Sequence, residues 1–326
     1  MISLRHKALV GTVIAGICLA SPWALAQNWK PTQPVTIIVP IAGTTNDTVA
    51  RLVAPKLAEK FGQPFVVDNK PGAGGNLGAS LAARAAPDGH TLLVGYNGPL
   101  AINPSLFTNM PFDPQKDLAP ITLAVKAPQY LVTTPGTGIT NVKDFIAQAK
   151  AAPQKFSYGS VAVGSASHLT MEMFKSAAGI NVTHIPYRGA PPAIADLLAG
   201  TIHVGFFVPG NVQQLAQQGR IKLLASSGKK RFASTPDVPT LAELGFENFE
   251  ATSWIGFLTA SNTPKHIIQA YNTAIVEILK MPDVKDKLES MEFEIVGSSP
   301  DEFASWIDTE IKRWGAVIKE TGTKLE

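Results

Sequence analysis

Apolar residues follow two spacings along this chain, short continuous runs and longer stretches with helical periodicity. Continuous runs rich in β-branched residues predict buried strands at residues 34–40, 65–67 and 91–94. Helical spacing between them predicts helices at residues 47–60 and 75–86. This βαβαβ order is typical of a parallel sheet with helices on both faces and right-handed crossovers.

The same alternation continues in the second half of the chain. Strands are predicted at residues 130–133, 156–159, 182–185, 202–207 and 221–225, and helices at residues 142–151, 167–178, 192–199 and 212–218. A second sheet, separate from the first, is therefore expected.

The C-terminal part of the chain predicts a return to the first lobe. A strand-like run at residues 254–258 precedes helices at residues 265–279, 284–290 and 301–321. If these helices pack on the first lobe, the chain crosses between lobes near Ala124 and near Glu250. The expected fold is a two-lobed α/β protein with a parallel-type sheet in each lobe and two hinge crossovers. Lobe 1 comprises residues 27–124 plus 250–326, and lobe 2 comprises residues 125–249.

The first 26 residues have the pattern of a cleaved secretory signal peptide. Arg5 and Lys7 precede an almost wholly apolar run at residues 8–20, and Ala24-Leu25-Ala26 forms a small-x-small cleavage motif. A membrane anchor is the alternative, but this run is shorter than the roughly 20 residues that a spanning helix needs. We therefore predict cleavage after Ala26 and export.

Composition narrows the class of protein further. The formal net charge of +3 falls to +1 once Arg5 and Lys7 are removed, which argues against nucleic acid or an anionic membrane as partner. Cys18 is the single cysteine, so the mature chain would contain no disulfide. About 300 residues would remain, enough for two domains that each bury a core.

A loop suited to an anion follows the first predicted strand. Gly43, Thr44, Thr45, Asn46 and Asp47 place hydroxyl, amide and free backbone N–H groups at a helix N-terminus. Ligands of open α/β sheets bind at the carboxyl ends of strands, where this loop lies. The alternative is that Asn46 or Asp47 only caps the helix.

The second half contains a similar loop at residues 158–168. Ser160, Ser165 and Ser167 offer hydroxyl groups, and Gly164, next to Val163, allows close approach of the backbone. An ordinary loop before a capped helix is the alternative. Two helix N-termini that face each other across a cleft would suit a ligand with polar or negative groups at both ends.

Four further residues are candidate ligand contacts because they follow predicted strands. Asn97 could donate a hydrogen bond, although its segment could be a simple turn. Tyr187 could stack or hydrogen-bond, and Arg188 could grip a carboxylate, although a solvated arginine is commoner. Phe207 would belong to the core or to an apolar wall of the cleft.

Recognisable catalytic motifs are absent from the sequence. It has no G-x-S-x-G or H-E-x-x-H, and the glycine-rich stretch at residues 70–78 departs from the dinucleotide register, which favours a structural turn. The histidines after the leader show no metal-ligand spacing and are predicted to be isolated surface or capping residues: His90, His168, His184, His203 and His266. Neither a cofactor nor a metal is predicted, and an exported hydrolase is the less favoured alternative.

Long segments of the chain resemble one family. They include DTVARLVAPKLAEKFGQPFVVDNKPGAGGNLGA, AAPDGHTLLVG, VTHIPYRGAPPAIADLLAG, TPDVPTLAELGF and ATSWIGFLTA. These segments are similar to the Bug family, the receptors of tripartite tricarboxylate transporters. The resemblance implies a monomeric periplasmic binding protein of type II, or Venus-flytrap, architecture that performs no chemistry. It implies that Gly43 to Asp47 and Ser160 to Ser167 pinch a carboxylate, partly through ordered waters, before hand-off to a membrane permease.

Two departures from the family pattern bear on the ligand. The first loop is one residue shorter than the Pro-Gly-Gly-x-x-Asp of relatives, so its anion geometry can differ. Phe207 and Val208 stand where relatives often carry an Asp-Asn pair, which removes a partner for a ligand amine. We therefore expect a dicarboxylate or an aromatic carboxylate such as terephthalate. A ligand-sensing module for a sensor kinase is an alternative that the sequence leaves open.

Overall fold

The computed structural model describes residues 29–232 and 234–324, so the predicted leader lies outside the described residues. The strands are β1 (Val35–Val39), β2 (Phe65–Asn69), β3 (Thr91–Tyr96), β4 (Leu118–Pro128), β5 (Tyr130–Thr133), β6 (Ser157–Ser160), β7 (Thr183–Pro186), β8 (Val204–Phe207), β9 (Lys222–Ser226), β10 (Thr252–Ala260) and β11 (Glu294–Ile295). The helices are α1 (Thr45–Phe61), α2 (Asn76–Ala83), α3 (Asn103–Leu106), α4 (Val142–Ala151), α5 (Ala166–Ala178), α6 (Ala190–Ala199), α7 (Pro209–Gln217), α8 (Lys265–Leu279), α9 (Pro282–Ser290) and α10 (Pro300–Thr321).

The strands form two sheets, which confirms the two-lobed α/β fold. The first sheet, in lobe 1, has the order β11-β4-β10-β3-β1-β2, and the second, in lobe 2, has the order β7-β6-β8-β5-β9. The C-terminal strand β10 lies between β3 and β4 of the first sheet, so the chain does return to the first lobe.

The sheets are mixed, which corrects the prediction of parallel-type sheets. Parallel pairing joins β2, β1 and β3 in lobe 1 and β7, β6 and β8 in lobe 2. Strand β10 is antiparallel to both of its neighbours, and so is β5. The chain leaves lobe 1 along β4 and returns along β10, so these two adjacent strands run in opposite directions.

Strand β4 was missed from the sequence. Pro120 and Pro128 lie within it, and proline lacks the N–H that a sheet ladder uses. Pro120 pairs with Leu258 beside a register shift at Phe257/Leu258, and Pro128 is the last residue of the strand, so neither lies in an uninterrupted stretch of the ladder. A strand of this kind is stabilised by its long-range partner, which local sequence does not indicate.

Buried apolar side chains cover both faces of the first sheet. On one face, Ile37 and Val39 pack with Val53 of α1 and Ile275 of α8. The cluster on the other face continues into lobe 2 and includes Trp254, Trp314, Phe156 and Phe174. Full burial of such side chains contributes about 1.5–3 kcal/mol each. None of the helices in the described part of the chain combines the length and apolar content that membrane crossing requires.

A short chain of hydrogen bonds joins the two crossovers. Gln129 separates β4 from β5, and its N–H donates to Ser227 Oγ at 2.8 Å. The Ser227 hydroxyl in turn donates to the carbonyl of Ala251, just before β10, at 2.6 Å. Because β4 stays in the first sheet up to Pro128, Gln129 is the natural point for the first crossing. For the division into residues 27–124 plus 250–326 and residues 125–249, we therefore propose a first boundary at Gln129 instead of Ala124.

Candidate functional site

A cleft between the two sheets encloses about 520 Å³ of space, its open mouth included. Its lining comes from strand ends and helix starts of both lobes: Ile41, Thr44, Thr45, Asn46, Tyr96, Asn97, Gln129, Val161, Ser165, Ala166, Ser167, Phe206, Phe207, Val208, Asn211, Ser253, Trp254, Ile255 and Phe293. These residues are hydroxyl, amide, aliphatic and aromatic, and none carries a charge. A ligand in this cleft would therefore be held by neutral donors and apolar walls.

The N-terminus of α1 reaches the cleft, and the Thr44 hydroxyl there donates, over long distances of 3.4 Å, to the carbonyl of Ile41 and to Asn46 Oδ1. Gly43 adopts the left-handed conformation, with φ of 63°, and Thr44 is the N-cap residue but makes no side-chain capping bond. Asn46 is 7% exposed, and its Nδ2 group has no hydrogen-bond partner. The first N–H groups of a helix lack partners within the helix. This terminus therefore has the donors that an anion needs.

Asp47, also predicted as a contact, points away from the cleft. Its carboxylate accepts from Arg51 Nε at 2.9 Å and from Asn69 Nδ2 at 2.8 Å. Burial by itself would raise the pKa of Asp47, but these hydrogen bonds outweigh it and lower the pKa. Asp47 therefore links α1 to the end of β2, and it does not cap the helix, which begins two residues earlier than predicted.

The N-terminus of α5 also reaches the cleft, but its hydroxyl groups are already used. Ser165 accepts from the N–H of His168 as a true N-cap and donates to the carbonyl of Ala162 at 2.7 Å. Ser167 Oγ accepts from the N–H of Val161 at 3.0 Å and lies 2.9 Å from Ser165 Oγ. Both serines line the cleft, but their hydroxyl groups already form hydrogen bonds within the loop.

The other predicted residues of this loop lie behind or beside the cleft. Ser160 Oγ is 2.7 Å from Nε2 of His184 and donates to the carbonyl of Ala162 at 3.1 Å. Val163 and Gly164 instead contact lobe 1. A Cβ atom on Gly164, whose φ is 71°, would lie 2.2 Å from Oδ1 of Asn103.

The lobes also meet at the opposite edge of the cleft. A Cβ atom on Gly43 would lie 3.7 Å from Pro191, and one on Gly189 would lie 3.2 Å from the carbonyl oxygen of Ala42. The two lobes therefore contact each other at Gly164 and at Gly43. Glycines at these contacts permit the backbones to approach.

Two of the histidines that were predicted to be isolated are stacked on each other. The rings of His168 and His184 lie 4.1 Å apart and nearly parallel, and His184 also stacks on Tyr158. His168 Nδ1 accepts from the N–H of Gly164 at 3.2 Å, so these rings hold both ends of the loop at residues 160–164. Burial, followed by the charge of neighbouring groups, lowers the pKa of His168 to about 4 and that of His184 to about 3.

The remaining predicted contacts are divided between the cleft and the surface. Phe207 lines the cleft together with Phe206, and Asn97 lines its floor. Both hydrogens of Asn97 Nδ2 are committed, to the carbonyl of Thr252 at 3.0 Å and to Glu310 at 3.3 Å, so Asn97 is not the free donor that was predicted. Tyr187 and Arg188 do not line the cleft.

Tyr187 has a partner of its own within lobe 2. Its hydroxyl donates to Asp196 Oδ2 at 2.6 Å, and burial together with that carboxylate raises the pKa of Tyr187 to about 12. Arg188 is exposed. The prediction that these side chains contact the ligand therefore has no support from their positions.

Several lining residues carried no signal in the sequence analysis. Gln129, Asn211, Ser253 and Phe293 come from segments far apart in the chain and meet only in the folded protein. The hydrogen bond from the N–H of Trp254 to Oδ1 of Asn97, 3.0 Å long, shows how directly that insertion builds the cleft. Their neighbourhood to strand ends and helix starts was the one available clue.

Two α/β lobes that close on a cleft of neutral donors define the class of two-lobed binding proteins. The sequence pattern of the family described as "Tripartite tricarboxylate transporter family receptor" matches residues 49–323. The chain is also 35% identical over 324 residues to Protein BugT of Bordetella pertussis, covering 99% of both chains. It therefore belongs to the tripartite tricarboxylate transporter receptor family, whose members are substrate-binding receptors and not enzymes, and the predicted Bug resemblance is confirmed.

Solved structures support the same assignment. One is described as "R. palustris Rpa4515 with adipate" and is 35% identical, with a TM-score of 0.86 over 90% of this chain and 99% of that chain. Another is MatC (Rpa3494) from Rhodopseudomonas palustris with bound malate, which is 29% identical, with a TM-score of 0.84 over 88% and 99% of the chains. Both are carboxylate complexes of the same fold.

Proposed function

We propose that this protein captures a small organic carboxylate between its lobes in the periplasm and delivers it to the membrane permease of a tripartite tricarboxylate transporter. The observation that carries the proposal is the uncapped N-terminus of α1, where Asn46 lines the cleft and its buried Nδ2 has no hydrogen-bond partner. A carboxylate oxygen would complete its hydrogen bonding and interact favourably with the helix dipole. The adipate and malate complexes of relatives agree with this chemistry.

The walls of the cleft favour a ligand with an apolar or aromatic body. Phe206, Phe207, Trp254 and Phe293 face the cleft, while the lining includes no acidic side chain that could pair with an amine. A dicarboxylate or an aromatic carboxylate, terephthalate among them, is therefore our proposed ligand class. Any second carboxylate would meet only hydroxyl and amide groups, because the lining has no cation.

Calorimetric titration against a panel of carboxylates that includes adipate, malate and terephthalate tests the proposal. We expect at least one member to bind, and an excess of about 100-fold over its Kd to stabilise the protein by roughly 2.7 kcal/mol. The absence of binding and of thermal stabilisation with every member would refute the proposal.

The variant Asn46→Ala identifies the anion site. We expect about tenfold weaker binding, because the ligand loses a hydrogen bond to its charged group. The ligand-free variant should be as stable as the wild type or more stable, since it no longer buries an unpaired amide. The matched control is Asn141→Ala, which removes the side chain that caps α4 outside the cleft. It should lower stability and leave affinity unchanged.

The location and the partner need separate tests. N-terminal sequencing of the protein recovered from a periplasmic fraction should begin at Gln27, directly after the predicted cleavage site. Deletion of the gene should abolish uptake of the carboxylate that binds. Unchanged uptake with loss of a transcriptional response would support the sensor alternative instead. Sedimentation should show the expected monomer.

A further inference from the structure

A buried carboxylate lies directly behind the floor of the cleft, which we define as Asn97 and Trp254. Glu310 of α10 is 2% exposed. Its Oε2 atom accepts from the indole Nε1 of Trp254 at 2.9 Å, from the indole Nε1 of Trp314 at 2.9 Å, and from Asn97 Nδ2 at 3.3 Å. One oxygen thus gathers three N–H donors from three different elements.

Two of those donors belong to cleft-lining residues. Trp254 lines the cleft, and its buried indole N–H donates to Glu310. The Asn97 amide is held on both sides, since Oδ1 accepts from the N–H of Trp254 and Nδ2 also donates to the carbonyl of Thr252. The only hydrogen-bonding capacity left to the Asn97 side chain is a second lone pair on Oδ1. Glu310 therefore determines which atom Asn97 can offer to a ligand.

The same carboxylate connects the floor to the return crossover. Arg313 Nη1 donates to Glu310 Oε1 at 3.2 Å, and its Nη2 donates to the carbonyl of Glu250, close to where the chain re-enters lobe 1. A buried ion pair is a weak source of stability, because desolvation offsets the attraction between the charges. The convergence of this network on cleft residues points to a role in positioning them.

We propose that Glu310 is the positioning residue of the cleft floor. It holds the Trp254 ring and the Asn97 amide in the orientation that the ligand meets, and so sets affinity and ligand preference without touching the ligand. This inference rests on the proposed function for its binding consequences. Its structural premise can be tested without any ligand.

The ligand-free test is the ¹⁵N–¹H spectrum of the tryptophan indoles in wild type and in Glu310→Gln. The neutral amide keeps the size of the side chain but replaces one acceptor oxygen by a donor. We expect the Trp254 and Trp314 resonances to shift and to exchange faster, while those of Trp29 and Trp306 stay in place. Asp308→Asn, an exposed carboxylate on the same helix, is the control and should shift neither resonance. Unmoved Trp254 and Trp314 resonances in Glu310→Gln would overturn the proposal.

The binding test uses adipate and malate as probes well below the melting temperature. We expect Glu310→Gln to bind the better probe about tenfold more weakly, the scale for loss of a charged hydrogen bond, and to change the ratio of the two dissociation constants. Asp308→Asn should bind both as wild type does. A Glu310→Gln protein with a lower Tm but unchanged affinities and ratio would reduce Glu310 to a purely structural role and overturn the inference. If wild type binds no carboxylate, the proposed function fails, and the indole spectrum alone decides the role of Glu310.

Discussion

The two helix N-termini at the cleft have similar sequences and opposite hydrogen-bonding states. Each follows a parallel strand and a loop that contains a glycine with positive φ, Gly43 before α1 and Gly164 before α5. At α5 the Ser165 and Ser167 hydroxyls satisfy the loop itself, whereas at α1 Thr44 makes no side-chain capping bond and Asn46 Nδ2 has no partner. We expect the self-capped terminus to contribute rigidity and the uncapped one to contribute affinity for an anion. Helix position alone therefore does not identify an anion site.

The largest expected effect on ligand affinity comes from the contact that the α5 loop makes with lobe 1. In Gly164→Ala the new Cβ would lie 2.2 Å from Asn103 Oδ1 and clash with it. The contact between the two lobes should therefore become less stable by about 2 kcal/mol. Ligand affinity should then fall roughly thirtyfold. Calorimetry measures the affinity, and small-angle scattering measures the opening of the lobes.

The control for that variant is Gly200→Ala. Gly200 also has positive φ, 79°, but a Cβ there would meet nothing within 4 Å. Gly200→Ala should lower the free energy of unfolding through backbone strain but leave ligand affinity unchanged. Equal ligand affinities for Gly164→Ala and Gly200→Ala would show that the contact of Gly164 with Asn103 does not contribute to binding.

Acid should lower the stability of the packing around α5, because the stacked His168 and His184 lie there. The pKa values of His168 and His184 are depressed to about 4 and about 3, against about 6.5 when unfolded, because burial disfavours the charged form. Stability is therefore fully present above pH 6.5. It falls as the pH drops towards 4, by up to about 1.4 kcal/mol per pH unit for each histidine.

The variant His168→Asn isolates this effect. Asparagine can keep an acceptor near the Nδ1 position but does not titrate, so its unfolding free energy should depend less steeply on pH between 6.5 and 4 than that of wild type. Chemical denaturation at several pH values gives the two slopes. Parallel slopes would assign the acid sensitivity to other groups.

Ser165→Ala tests the capped N-terminus of α5. Loss of the N-cap should cost about 1 kcal/mol of unfolding free energy, while the ligand loses little because the hydroxyl already serves the loop. Thermal denaturation and titration together measure both quantities. A large loss of affinity with unchanged stability would show that α5, like α1, binds the ligand directly.

The smallest effect concerns salt. Because none of the residues that line the cleft is charged, affinity should change by less than about twofold between 20 and 500 mM NaCl. A carboxylate site built on an exposed arginine at the cleft mouth would lose much more affinity at high salt. Repeated titration at the two ionic strengths checks this, and a strong salt dependence would point to a cation outside the described lining.

Most elements were predictable from the sequence because their apolar spacing is local. The helix at residues 265–279 was predicted with the bounds that α8 has, Lys265–Leu279. Strand β4 was missed because it contains prolines and is stabilised by its pairing with β10, which is distant in the sequence. The histidine stack was missed for a similar reason, since His168 and His184 lie in α5 and β7 and show no shared motif.

By itself, the sequence determined the alternation of strands and helices, the return of the C-terminal segment to lobe 1, and the two loops that reach the cleft. Only the tertiary structure decided which polar groups in those loops remain free. Asp47 is taken by Arg51 and Asn69, Asn97 is taken by Glu310 and Thr252, and Asn46 Nδ2 has no partner. Hydrogen bonds act over about 3 Å, so their partners are chosen by neighbours in space, many of which are distant in the chain.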